Sequence, residues 1–334
     1  MAAGVSQRFL EVGERVYRAG LKGVEWGYAR NLLRRHRLPA QVVSVGNLTW
    51  GGTGKTPLVL HLARAFQERG RRVAVLTRGY GQDEPRLLAQ ALGSIPVLVD
   101  PDRVRSGTRA IREFQADLLL LDDGYQQWRL EKDVEILAVD ASAPFGNRHL
   151  IPRGNLREPL SAAGRADLVV LKKGTADPLG FETVKRQLHA LNPRAPVFQM
   201  EYQPAGLWRW PSREPAGLDA LKGAKTCTLA GIANPAHFEA MAASLGAKVA
   251  LRYRAQDHHP YTAGELVKLL ARCRRHEIGQ IVTTAKDAVR IPKLFIDTVG
   301  LRMSGFEILV LEIHPTFDPD ESELLHRIDS LLAR

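Results

Sequence analysis

At 334 residues, with 45% hydrophobic and 25% charged side chains, the chain has apolar material for two ordinary globular cores and too much to be disordered. Its formal charge of +11 requires an anionic partner, whether a phosphorylated substrate, an acidic lipid surface or nucleic acid. Two cysteines without CxxC spacing, Cys227 and Cys273, argue against a disulfide framework and a cysteine zinc site, and no run of 18 apolar residues is present to cross a membrane or direct export.

Residues 1–37 carry eight basic side chains (Arg8, Arg15, Arg18, Lys22, Arg30, Arg34, Arg35, Arg37) against three acids, Glu11, Glu14 and Glu25. Leu10, Tyr17, Leu21, Val24 and Tyr28 recur at helical spacing, and Phe9 and Trp26 add aromatic bulk. The pattern predicts a basic amphipathic helix. It suits equally a helix lying in the headgroups of an anionic membrane and one packed on its own domain with a solvated basic back. Gly13, Gly20, Gly23 and Gly27 weaken the helix itself.

From Gln41 to residue 174 six continuously apolar runs follow one another: 41–46, 72–77, 95–99, 117–124, 134–140 and 166–174. Such runs read as parallel strands covered on both faces, and helical stretches at Leu58–Arg69 and Arg103–Gln115 fit between them. The expected fold is α/β, a P-loop NTPase-like, mostly parallel, doubly wound sheet over residues 38–200. The Pro- and Trp-rich stretch 201–222 reads as a linker or an irregular extension of the sheet. After it, strand and helix patterns alternate again in a smaller α/β domain over 223–334, whose helix from Thr262 opens with the capping box Thr262-Ala263-Gly264-Glu265.

The first strand runs into Thr49-Trp50-Gly51-Gly52-Thr53-Gly54-Lys55-Thr56, which matches the end of the phosphate-loop pattern GxxxxGK[ST] but has Thr49 at its first glycine position. Gly51 and Gly52 supply backbone freedom close by. The N–H groups of Gly51, Gly52, Thr53, Gly54 and Lys55 are expected to cradle phosphates, Lys55 to reach the β- and γ-phosphates, and the Thr56 hydroxyl to hold Mg²⁺. The acids expected at the end of a buried strand are Asp122 and Asp123, either of which binds Mg²⁺ directly or through water. As mere strand caps, one aspartate would serve better than two.

A guanine-nucleotide switch is excluded by two failed tests. Leu121, not aspartate, stands three residues before Gly124, and Lys286 and Asp287 are adjacent where a guanine-reading motif separates them. A nucleic-acid motor lacks its aromatic-studded basic channel. A kinase needs a group that takes the acceptor's proton, and strand ends offer Asp83, Glu84, Asp257, His258 and His259. The histidine pair reads equally as a solvated turn.

These residues closely resemble the tetraacyldisaccharide 4'-kinase family over most of the chain. The resemblance rests on VGNLTWGGTGKTP (45–57), TRGYG (77–81), DEPRLLA (83–89), LDDGYQ (121–126), PRGNLREPL (152–160), DHHPYT (257–262) and TTAKDAVR (283–290). The variant first position of the phosphate loop is usual in that family. The resemblance implies a peripheral enzyme at the cytoplasmic face of the inner membrane. Such an enzyme uses ATP and Mg²⁺ to phosphorylate the 4'-hydroxyl of a tetraacylated glucosamine disaccharide 1-phosphate in lipid A biosynthesis. It implies Asp83 as catalytic base assisted by His258, and Mg²⁺ handled by Thr56, Asp122 and Asp123 with Glu158 a further acid nearby. The smaller domain is expected to close over the nucleotide, bringing His258 toward Asp83. The partners implied are the acylated lipid substrate and an anionic membrane surface that residues 1–37 dock on, with no nucleic acid, and the chain is expected to be a monomer. Arg78, Arg129, Arg153 and Arg157 are candidates for the substrate's 1-phosphate or equally solvated surface charges.

Three departures accompany the resemblance. The family has a longer stretch, of hairpin size, between its GYG and DEP motifs, where this chain has only Gln82, so Asp83 is open to a different placement. Gln127 stands where a histidine is common, and Ala285 stands for a glutamate, neither on a residue with an implied chemical role. The rival from another class is a P-loop ATPase of the regulatory, partition or metal-insertion chaperone type, which hydrolyses ATP without a lipid acceptor.

Overall fold

The computed structural model describes residues 2–50, 54–79, 83–174, 177–257, 259–292 and 305–333, with the backbone alone at 2–6, 83 and 84. In chain order the elements are α1 (Ala2–Ala29), β1 (Gln41–Gly46), α2 (Lys55–Glu68), β2 (Val73–Thr77), α3 (Asp83–Leu92), β3 (Val97–Val99), α4 (Arg103–Phe114), β4 (Leu118–Asp122), β5 (Val134–Asp140), β6 (Leu168–Lys172) and α5 (Pro178–Leu191). Then come β7 (Val197–Trp210), β8 (Pro215–Ala216), β9 (Lys225–Ala230), α6 (Pro235–Ser244), β10 (Lys248–Arg254), α7 (Ala263–Arg275), β11 (Gln280–Thr284), the single turn α8 (Ala285–Ala288), β12 (Glu307–Asp318) and a last helix α9 (Glu321–Leu332). All six apolar runs predicted as strands form them, within a few residues at each end.

Two compact units result: Met1–Gly79 with Ala91–Glu201 and Pro315–Arg334, and Tyr80–Gln90 with Tyr202–His314. In the first, β7, β6, β5, β1, β4, β2 and β3 lie side by side in that order, each neighbouring pair parallel. Strands β1, β4 and β5 are buried almost throughout, which is why their sequences carry no polar alternation. Helix α2 buries Leu58, Val59, Leu62, Ala63 and Phe66, one stripe at helical spacing. Asp102 caps α4 by accepting from the N–H groups of Val104 and Arg105, and Asp177 caps α5. Since the strands are parallel, the loops after β1, β4 and β5 leave the same edge of the sheet, the edge where ligands bind in such folds.

Helix α1 belongs to this first unit. Tyr17 and Leu21 pack against the cluster that includes Leu137, Phe145, Leu150 and Leu156, so part of the predicted apolar face is turned inward. Phe9 (74% exposed), Val12, Val16 (68%) and Trp26 remain on the surface. Both readings left open by the pattern therefore have a face to act on.

In the second unit β10, β9, β11 and β12 pair in parallel, and β8 pairs antiparallel with β7. Its core gathers Cys227, Leu229, Leu266, Leu269, Leu270, Cys273, Ile281 and Ile308. Thr262 and Glu265 form the expected capping box at the start of α7.

The expected domain boundaries need correction at three points. Of the two readings of residues 201–222, the sheet extension holds and the linker does not, because β7 runs through to Trp210 with Phe198, Met200 and Leu207 buried, and β8 follows. The tail 315–334, assigned to the smaller domain, groups with the first unit, where Gln41 Nε2 donates to the Leu332 carbonyl at 2.6 Å and Arg69 meets Asp329 at 2.7 Å. Residues 80–90 group with the second unit rather than with the first.

Candidate active site

The chain leaves β1 at Gly46, where an added Cβ would lie 2.6 Å from the Tyr125 backbone nitrogen; only glycine lets the loop after β4 approach this closely. Asn47 follows, almost wholly buried, and Trp50 N–H donates to the Asn155 carbonyl at 2.6 Å. Gly54 takes φ 85° at the cap of α2, a conformation that favours glycine, and it turns the loop into the helix so that Lys55 begins it. Thr56 sits on the first turn, half-buried. Gly51, Gly52 and Thr53 lie outside the described residues.

Lys55 Nζ rests between two oxygens, Asn47 Oδ1 at 3.0 Å and Asp123 Oδ1 at 3.2 Å. The other carboxylate oxygen of Asp123 accepts from Arg157 Nη1 at 2.7 Å. Asp123 itself has φ 57°, the left-handed region that aspartate tolerates better than most residues. Burial acts to raise its pKa, but Lys55 and Arg157 outweigh that and hold the carboxyl below the usual carboxylate range. It therefore stays charged. Asp122 precedes it, buried at the end of β4 beside β1.

A second layer carries this pair. Gln126 Nε2 donates to the Asn47 carbonyl and to Glu158 Oε1, both at 3.0 Å, while Gln126 Oε1 accepts from Arg157 at 3.3 Å. Glu158 is buried and is gripped by Arg165 at 2.6 and 3.1 Å. Arg165 also stacks over Tyr125 and Trp128, 4.5 and 4.7 Å from the ring centroids. Arg103, buried in α4 near Asp122 and Asp123, has its pKa pulled down to about 10 by burial and partly restored by those two acids. From α1, Tyr17 O–H donates to the Arg157 carbonyl at 2.9 Å. Glu14 reaches the same loop, accepting from Leu150 N–H at 3.3 Å and pairing with His149 at 3.3 Å.

Thr49, Gly54, Lys55, Thr56, Asp122 and Asp123 gather at the ends of β1 and β4. Thr49 is buried and bridges to Leu156. Glu158 joins them through Gln126, with its carboxylate committed to Arg165 rather than open. Asp83 starts α3 with its side chain outside the described residues, and His258 lies outside them altogether. Among the four arginines, Arg157 is at the site, whereas Arg129 is paired with Asp102 at 2.9 Å and Arg153 with Glu11 at 3.3 Å. Trp50 is 57% exposed, and the Arg157 guanidinium lies 4.8 Å from its ring. Arg103 and Arg165 lie in no motif that sequence reasoning used, whereas Asn47 and Gln126 lie inside the stretches 45–57 and 121–126 without a role having been read for them.

The donor set suits a nucleotide with Mg²⁺. Asn47 Nδ2 is buried beside Lys55 with no partner among the described residues, a hydrogen-bond donor left for an anionic ligand. Thr56 and Asp122 supply hard oxygens of the kind Mg²⁺ takes in ones and twos, alongside phosphates and water. Among the described residues no group of three or more His, Cys, Asp or Glu forms a metal cage, as such a site requires none.

A strand, a glycine-bounded loop and a helix opening on a paired lysine, with buried acids at the next strand, define a P-loop phosphotransferase. The sequence profile of the tetraacyldisaccharide-1-P 4'-kinases (LpxK) matches residues 6–83 and 81–333, two segments meeting where the chain is short between its GYG and DEP motifs. The chain belongs to this family. It is 40% identical to the tetraacyldisaccharide 4'-kinase of Anaeromyxobacter dehalogenans strain 2CP-C over 83% of this chain and 79% of that one. With the tetraacyldisaccharide 4'-kinase of Syntrophus aciditrophicus it shares 36% identity, over 91% of this chain and 92% of the other. The crystal structure of LpxK from Aquifex aeolicus in complex with ATP superposes with a TM-score of 0.74 at 26% identity, covering 98% of this chain and 99% of that one.

Proposed function

We propose that this enzyme, an ATP-dependent kinase of lipid A biosynthesis, moves the γ-phosphoryl group to the 4'-hydroxyl of tetraacyldisaccharide 1-phosphate by the following division of labour. Lys55, at the N-terminus of α2 and between Asn47 and Asp123, neutralises charge on the β- and γ-phosphates. Its fixed position is the observation that carries the reading. Thr56 and Asp122 would hold Mg²⁺, which would supply positive charge to balance that of the phosphates. Asp123 acts chiefly as the charged partner of Lys55 and Arg157, and Glu158 fixes Gln126 and Arg165 behind them. Asp83 takes the proton of the attacking hydroxyl, assisted by His258.

A substrate with four acyl chains stays in the bilayer, so the enzyme must come to it. The exposed Phe9, Val12, Val16 and Trp26 of α1, with Arg8, Arg15 and Lys22 on the same stretch, suit an anionic membrane surface and support peripheral docking at the cytoplasmic face of the inner membrane. No helix among the described residues is long and apolar enough to cross a membrane. Asp83→Ala tests the chemistry. Turnover is expected to fall by about 10²- to 10⁴-fold with ATP affinity kept, measured by phosphate transfer to the lipid and by nucleotide titration. Near wild-type turnover would contradict the assignment.

A further inference from the structure

The inward face of α1 is polar where it meets the segment 149–157. Glu14 is buried there, accepting from Leu150 N–H at 3.3 Å and from Arg18 Nη2 at 3.0 Å, and it lies 3.3 Å from His149 Nδ1 and 3.6 Å from Arg153 Nη1. One residue earlier, Gly13 lets the helix close up on the segment, since an added Cβ would stand 2.8 Å from Pro152 Cγ. One turn later, Tyr17 O–H donates to the Arg157 carbonyl at 2.9 Å. Arg157 is where the segment enters the active site. Its guanidinium meets Asp123 Oδ2 at 2.7 Å, and the other oxygen of that carboxylate lies 3.2 Å from Lys55 Nζ.

The backbone of Arg157 is held on both sides. Its N–H donates to the Leu48 carbonyl at 2.7 Å, beyond the end of β1, and its carbonyl takes the Tyr17 hydroxyl. An unbroken run of contacts therefore leads from α1 to the phosphate-loop lysine: Tyr17 hydroxyl, Arg157 backbone, Arg157 guanidinium, Asp123 carboxylate, Lys55 ammonium. Fastening a helix needs only apolar packing of the kind Leu21 supplies. A buried carboxylate costs free energy unless it is fully bonded, so Glu14 and Tyr17 serve register more than adhesion. Fixed register is what a cation beside a reacting phosphate requires from the residues behind it.

We propose that Tyr17 and Glu14 are positioning residues for the kinase reaction: from α1 they fix the segment 149–157 so that Arg157 stays on Asp123, and Asp123 on Lys55. The proposal rests on the reading of Asp123 as the charged partner of Lys55 and Arg157 during transfer. Neither Tyr17 nor Glu14 touches substrate or nucleotide in this role. Helix α1 is then part of the catalytic frame as well as a surface for the bilayer. The two roles use different faces, because Phe9, Val12 and Val16 are exposed while Glu14 and Tyr17 turn inward.

The test uses the full chain with labelled ATP and the tetraacylated lipid in detergent micelles, with Tyr17→Phe, Glu14→Gln and Arg157→Ala made singly and each of the first two combined with Arg157→Ala. Membrane binding is read separately, by sedimentation with vesicles of phosphatidylglycerol and phosphatidylcholine. Tyr17→Phe keeps the packed ring and removes only the donor, so the thermal unfolding midpoint should hardly move. It is expected to lower kcat about 10-fold, and Glu14→Gln about 3- to 10-fold, the scale of a small misplacement near a reacting centre. Vesicle binding should stay as in the parent, and in the Arg157→Ala background either substitution should cost almost nothing more. Parental kcat in both single variants, equal losses with and without Arg157, or losses that follow vesicle binding would overturn the positioning role alone. Parental turnover of Arg157→Ala would overturn the reading beneath it, and the positioning role with it.

Discussion

Asp123, half-buried, and Asp287, fully buried, are aspartates on which a recognisable motif converges, and they are stabilised by opposite means. Asp123 is paired with two cations, Lys55 and Arg157, which outweigh burial and keep it charged. Asp287 is held mainly by neutral donors, a backbone N–H and two hydroxyls, and burial prevails, pushing its pKa up. The difference separates two uses of a carboxylate. Where phosphate and metal charge arrive and leave, the acid is one pole of an electrostatic balance. Where a loop is to be fixed, it is a junction of hydrogen bonds.

Substitution at Asp123 should have the largest effect. Asp123→Asn leaves Lys55 and Arg157 side by side without an anion, and should lower turnover by about 10²-fold and stability by about 2 kcal/mol, read from initial rates and denaturant unfolding. At Asp287 the amide keeps size and most hydrogen-bonding capacity. Asp287→Asn should therefore cost less than half of what Asp287→Ala costs, the latter about 3 kcal/mol for several orphaned donors, again by denaturant unfolding.

Acid titration gives a finer contrast. The ordinary value for both carboxyls is 3.8. Asp123 titrates below it when folded, so its contribution is present above 3.8 and is lost as pH falls through the folded value. Asp287 titrates above it when folded, so its contribution is full below 3.8 and declines as pH rises through the folded value. Stability profiles of the two Asn variants against the parent should accordingly diverge in opposite directions: the deficit of Asp123→Asn shrinks on acidification and that of Asp287→Asn shrinks as pH rises. The smallest effect is expected at Trp50, where Trp50→Ala removes an exposed stacking contact with Arg157 worth about 0.5–1 kcal/mol, measurable as a slight shift in thermal unfolding.

Much of this was legible in the chain. The phosphate loop, the acid pair and the strand rhythm are local patterns, and local patterns survive in a string of residues. At 201–222 the sequence left linker and sheet extension open because proline and tryptophan mark breaks only on average, and here alternate residues still bury. The return of α9 to the first unit and the grouping of residues 80–90 with the second are contacts between distant segments, for which no local signal exists. For the same reason no role was read for Asn47, Gln126 or Arg165. Each acts through a partner remote in sequence, and only the fold joins them.

Transfer to a lipid acceptor is tested most directly with γ-labelled ATP, the full-length protein and micelles of tetraacylated glucosamine disaccharide 1-phosphate. Label should appear in the lipid, at the 4'-oxygen, and should vanish with Lys55→Ala. Label released only as free phosphate, at the same rate with and without the lipid, would contradict a kinase and leave an ATPase.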